Sequence, residues 1–125
     1  MGYPTAKAVM DAYAEGINAH DFDLLEDLID ADAVFWFSSG SYRGLPAIRA
    51  AFEATWTRLQ NETYWLEELA WIASDDGAAA CTYSFRWRAE VDGSRIEGGG
   101  RGTSVLRRRA EGWLIVHEHL SAEPT

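Results

Sequence analysis

Cysteine and lysine are almost absent from this chain: among 125 residues Cys81 is the single cysteine and Lys7 the single lysine. One thiol cannot close an intrachain disulfide, so the fold must be held by packing, and a reducing, cytoplasmic compartment is expected. Proline is scarce too, at three residues. No apolar run approaches the roughly 20 residues of a membrane span, which argues against a membrane partner. Lys7, Asp11 and Glu15 fall where a secretory signal would need an uncharged apolar stretch. Positive charge is the remaining shortage. Eleven basic residues face 20 acidic ones, for a formal charge of −9. Such a balance repels phosphates and argues against nucleic acid as a partner.

Apolar and aromatic side chains, by contrast, are plentiful. Hydrophobic residues make up 47% of the chain and aromatics 13%, including six Trp, enough to bury one core. The length suits one domain spanning residues 1–125, and no linker, repeat or low-complexity segment divides it. The charge is uneven, because ten of the eleven bases are Arg and four of them, Arg86, Arg88, Arg95 and Arg101, cluster in the C-terminal part. They suit either a solvated sheet face with cross-strand Glu/Arg pairs or a pocket for an anionic group.

The period of the apolar pattern changes once along the chain. Ala6, Val9, Met10, Tyr13 and Ile17 recur at three and four, predicting a helix opened by Pro4 near its first turn. Asp21 or Asp23 can cap a second short helix, with Asp23 and Glu26 spaced like a capping box and Leu24, Leu25, Leu28 and Ile29 as its buried stripe. Ala33–Phe37 reads as a strand ending in a Ser38-Ser39-Gly40-Ser41 turn. Leu45, Ile48, Phe52, Trp56 and Leu59 keep helical spacing after Gly44. Beyond Asn61 the pattern is sheet, which Asp75-Asp76-Gly77, Asp92-Gly93 and Glu111-Gly112 divide into four strands. An α+β fold follows: three N-terminal helices packed on a strongly curved antiparallel sheet, forming a cone with an internal cavity. Gly98-Gly99-Gly100 and Gly102, inside a strand, suggest a bulge or bend, or else close approach of backbone to a ligand.

Several of these segments resemble a known superfamily. Tyr13-x4-Asn18-Ala19-His20-Asp21, Asp30-Ala31-Asp32-Ala33-Val34-Phe35 and Gly44-x3-Ile48-Arg49-x2-Phe52 are similar to the opening of nuclear transport factor 2-like proteins, particularly ketosteroid isomerases and SnoaL-like proteins. The ending, Arg101-Gly102-Thr103-Ser104-Val105-Leu106-Arg107 followed by Gly112-Trp113-Leu114-Ile115-Val116-His117-Glu118-His119-Leu120-Ser121, resembles the SnoaL-like subgroup and also the association domain of calcium/calmodulin-dependent kinases. The resemblance implies the cone fold of this superfamily, also called cystatin-like, and makes Tyr13 the match for the isomerases' oxyanion-donating tyrosine. Their base position aligns with Phe37 and their second donor with Ser104, so the isomerase carboxyls are missing at both places. The fold is then inherited without that reaction.

Alternation along the last strand puts Trp113, Ile115, His117, His119 and Ser121 on one face and Leu114, Val116, Glu118 and Leu120 on the other. The resemblance turns the histidine face toward the cavity, where His117 or His119 would serve as acid or base. As structural groups they would instead join neighbouring strands. Cys81, Tyr83, Phe85 and Trp87 form one apolar face, with Arg86 on the opposite one, although the kinase-domain resemblance puts Arg86 in the pocket. The candidate site is thus Tyr13, His117 and His119 for chemistry, with Phe37, Trp56, Trp87, Arg86 and Ser104 for ligand contact and no metal or cofactor. Two functions stay open. One is a binding module for a small apolar or weakly anionic molecule; the other is an isomerase, cyclase or lyase acting on a carbonyl-containing apolar substrate. Apolar groups on both faces of the last two strands further predict a homodimer through the outer face of the sheet.

Overall fold

The computed structural model describes residues 2–123. Helix α1 (Ala6–Ile17) buries the five apolar positions that its spacing singled out. Its first turn is capped by Thr5, whose Oγ1 accepts the Ala8 N–H at 3.1 Å, so Pro4 precedes the cap instead of opening the turn. Helix α2 (Asp23–Glu26) is a single turn without the expected capping box. Leu24 is exposed, while Leu28 and Ile29 lie beyond the helix. Strand β1 (Ile29–Phe37) therefore starts earlier than predicted.

The predicted turn after β1 is tighter than expected. The chain reverses at Ser38-Ser39, and β2 (Gly40–Arg43) pairs back along β1 from Phe37↔Gly40 to Val34↔Arg43. Helix α3 (Leu45–Arg58) follows, entered through Gly44 at φ 83°, a conformation that favours glycine, and with Pro46 in its first turn.

Strands β3 (Gln60–Ser74), β4 (Ala78–Val91), β5 (Ser94–Arg109) and β6 (Gly112–Ala122) form the meander, divided at the three predicted turns. The sheet order is β2-β1-β6-β5-β4-β3. Every pairing is antiparallel except β1 with β6, which the long excursion through α3 and the meander makes possible. The helices cover one face of this curved, unclosed sheet, and Val9, Met10, Phe22, Leu25, Phe35, Ile48, Leu106 and Ile115 form the centre of the core.

Two features of the ladders position the site. The first lies between β4 and β5, where the register runs without a shift, so the expected bulge at the glycines is absent. Instead Gly98, Gly100 and Gly102 stand opposite Trp87, Phe85 and Tyr83, and each leaves room for a ring lying across the backbone. A Cβ at Gly102 would sit 2.3 Å from Tyr83 Cε1, and one at Gly98 would sit 2.6 Å from Trp87 Cζ2.

The second feature is in β6, where Leu106 pairs with Ile115 but Val105 pairs with His117. Val116 is therefore an extra residue, a β-bulge, and it reverses the facing of everything after it.

Candidate functional site

Between the helices and the inner face of the sheet lies a cavity of about 490 Å³. Its walls are largely aromatic, with Tyr13 from α1, Phe52 and Trp56 from α3, Tyr64 from β3, and Phe85 and Trp87 from β4; Phe37 from β1 also lines it. Two carboxyl groups interrupt this surface, Glu62 from β3 and Glu118 from β6.

Glu118 owes its position to the bulge. With Val116 inserted, the inward set of β6 is Trp113 and Ile115 before the bulge, then Glu118 and Leu120 after it. The carboxyl is 1% exposed. Tyr13 donates its hydroxyl to Oε2 at 2.8 Å and Tyr83 donates to Oε1 at 3.1 Å. Ser104 lies behind Tyr83, with Oγ 2.8 Å from the Tyr83 hydroxyl oxygen. Since the Tyr83 proton is directed to Glu118, the Ser104 hydroxyl supplies the proton of that bond. Burial pushes the Glu118 carboxyl up to about 7, against the two tyrosine hydrogen bonds that favour its ionised form. Tyr13 and Tyr83 are raised well above the usual phenol range, first by burial and then by the neighbouring Glu118 charge, so both remain proton donors.

Glu62 occupies a different part of the wall. Strand β3 carries an extra residue between Gln60 and Thr63, and Asn61 adopts φ 54° there. Glu62 is consequently buried on the same side as Tyr64, and burial pushes its carboxyl up to about 6, with the Arg58 charge opposing. This end of β3 is a free sheet edge, and the chain after α1 covers it. Asn18 Oδ1 accepts the Tyr64 N–H at 2.7 Å and its Nδ2 donates to the Tyr64 carbonyl at 2.9 Å. His20 Nε2 lies 3.1 Å from the Glu62 carbonyl oxygen, its ring stacked on Trp56. Tyr64 is thereby fixed with its ring against Phe85, and its hydroxyl has no partner among the described residues.

Several sequence-based placements are corrected. His117 and His119 do not line the cavity: past the bulge they face the outer side of the sheet, flanking the exposed Trp36 at ring separations of 4.9 and 5.4 Å. His117 is further tied by Nδ1, 2.6 Å from the Val34 carbonyl oxygen. Arg86 is also outside, paired with Glu123 at 2.7 Å and with Glu67 at 3.5 Å. Ser104 is fully buried behind Tyr83 and does not border the cavity. The structure does bring Tyr13, Phe37, Trp56 and Trp87 together around one cavity. Cys81 is buried, its thiol pushed up to about 11 by burial, which suits a packing role.

Glu118, Glu62, Tyr64 and Tyr83 were not singled out as site residues from the sequence. The available signal for Glu118 was one carboxyl among Leu114, Val116 and Leu120 in an otherwise apolar set. Strict alternation set it opposite the histidines, and the resemblance, by turning the histidines inward, left it on the outer face.

Comparisons with known proteins agree with this architecture. The model of the SnoaL-like domain matches residues 6–124. A nuclear transport factor 2-like superfamily protein from Salmonella enterica superposes with a TM-score of 0.88 at 22% identity, over 94% of this chain and 88% of that one. An uncharacterised protein from Caulobacter vibrioides with a cystatin-like fold gives 0.80 at 18% identity, over 94% and 87%. The association domain of CaMKII from C. elegans gives 0.75 at 16% identity, over 93% and 92%. At these identities the structures share the fold alone, and no significant match is found among curated proteins. With its cone, its aromatic cavity and a family model covering nearly its whole length, the chain belongs to the SnoaL-like domain family.

Proposed function

We propose that the domain binds a small, mainly apolar molecule in its cavity and that Glu118 exchanges a proton with it. The observation that carries this reading is a buried carboxyl, pushed up to about 7 and held by Tyr13 and Tyr83 at the wall of an aromatic cavity. Near neutral pH such a group is divided between base and acid, the condition under which proton transfer is most effective. A carbonyl compound with an acidic C–H suits it. The C–H bond breaks, its proton passes to Glu118, and the electron pair moves onto the carbonyl oxygen as an enolate. Tyr64, whose hydroxyl is free among the described residues, is the candidate donor to that oxygen. Return of the proton to the same or another carbon gives exchange or isomerisation.

Deuterium exchange tests this without knowing the substrate. A panel of cyclic and aryl ketones in D2O should lose α-proton NMR signals in the presence of the protein. Glu118→Gln should slow the exchange by about a hundredfold or more. Exchange that survives this substitution removes Glu118 from the reaction. Binding without any exchange supports a second reading, a non-catalytic binding module in which Glu118 only joins α1 to the sheet. That reading is favoured by the two tyrosine hydrogen bonds already on its oxygens.

We further propose that two copies pair through the outer face of the sheet. Trp36 is 46% exposed there, beside His117 and His119. Val34 and Val105 both pair with His117 and share that face. Leu114, which sequence reasoning counted toward this surface, is buried within the single chain and adds nothing to it.

A further inference from the structure

Of the two carboxyl groups on the cavity wall, Glu62 is the one that the proton-transfer reading leaves without a role. It is 8% exposed, it lines the cavity, and its carboxylate makes no hydrogen bond or ion pair among the described residues, its oxygens meeting only the solvent of the cavity. A charge-bearing group removed from water normally has a partner, because desolvating it alone is costly. Here the groups around it supply none. Arg58 on α3 is exposed at the cavity rim and makes no ion pair with it. His20 meets only the Glu62 backbone carbonyl, and Tyr64, two residues along the same strand face, is an acid that stays protonated. Glu118, the other carboxyl on the cavity wall, already holds two tyrosines.

The surroundings of Glu62 favour one sign of charge. Trp56 braces His20 beside it, and Trp87 lies across the ladder from Tyr64. Aromatic faces attract cations and not anions. Arg86 is on the outside of the sheet, and Arg58, the one arginine lining the cavity among the described residues, is exposed at its rim, where water and salt screen its charge. The chain as a whole carries −9, so its long-range field also draws cations toward it.

We infer that the cavity selects a cationic ligand, an apolar molecule carrying a protonated amine or quaternary ammonium group that sits against Glu62 beside Trp56 and Trp87. The inference rests on the proposal that the cavity binds a small molecule and adds the ligand's charge to it. Such a ligand supplies the partner Glu62 lacks. Its apolar body fills the aromatic wall toward Glu118.

A pair of probes differing only in charge tests this: benzyltrimethylammonium and its uncharged carbon isostere, neopentylbenzene. Titrations followed by the Trp indole NMR signals, at about pH 8 and about 150 mM salt to screen surface attraction, should give the cation at least about a tenfold advantage. Glu62→Gln should bring the two affinities within about twofold of each other. If the wild-type protein binds both probes equally, the cationic preference is wrong and the cavity proposal stands. If it binds neither, both fall. A preference that persists in Glu62→Gln overturns the assignment to Glu62. Should that variant not fold, lowering the wild-type protein to about pH 5 protonates Glu62 and Glu118 together. The advantage should then disappear, and its persistence would equally overturn the inference.

Discussion

Glu118 is a carboxyl whose folded pKa of about 7 lies above its ordinary value of 4.5. The folded state therefore holds this proton more tightly than the unfolded chain does. The resulting stabilisation is complete below pH 4.5 and is lost as pH rises through 7. Glu118→Gln cannot ionise, so its stability relative to the wild type should rise across that window, by on the order of 3 kcal/mol, and then level off. Urea unfolding of both proteins over a pH series measures the difference, and a gap that does not change with pH would mean that Glu118 titrates as an ordinary carboxyl. Tyr13→Phe acts on the same proton from the other side. Removing one hydrogen bond to the ionised carboxylate should move the Glu118 pKa above 7, visible in its carboxyl carbon NMR shift. No movement would show that Tyr13 only packs.

The aromatic wall is a property of paired strands more than of single residues. Tyr83, Phe85 and Trp87 alternate along β4 and could stand inward in any sheet, but bulky neighbours on β5 would crowd them. Glycine at positions 98, 100 and 102 removes those neighbours one for one. Gly102→Ala should be costly, because its Cβ would fall 2.3 Å from Tyr83 Cε1 and 2.8 Å from Leu120 Cδ2, both beside Glu118. A loss of about 1–3 kcal/mol in denaturant unfolding is expected. A neutral result would mean that the Tyr83 ring can move aside without disturbing the core. The glycine run was legible as unusual, and the physical choice between a bend and a close approach was not. The partner that approaches is a set of rings from the next strand, which only the register identifies.

For the whole molecule, the outer sheet face and the open cavity lead to separate measurements. Pairing through Trp36 and its histidine neighbours should give a mass near two chains by light scattering at micromolar concentration, with at least about 1,200 Å² buried in total. Trp36→Glu should shift the mass to one chain while leaving the cavity side of the sheet untouched, since Trp36 points away from it. A wild-type mass near one chain at all concentrations would mean that this face is satisfied in water.

Composition, periodicity and turn chemistry by themselves determined the α+β class, the three helices, the four hairpin strands beyond Asn61 and the single apolar face shared by Cys81, Tyr83, Phe85 and Trp87. These are local properties: a helix repeats every 3.6 residues, a strand every two, and a turn declares itself in two or three residues. What lay beyond the sequence was the parity of β6 and the bend in β3. One extra residue at Val116 exchanges the two faces of the strand, sending His117 and His119 outward and Glu118 inward. An extra residue near Asn61 and Glu62 likewise accompanies the entry of a second carboxyl into the cavity wall. A bulge is set by how two strands fit each other and the core, so no pattern within one strand announces it. The candidate site depends on these two irregularities, and the tertiary structure alone decided them.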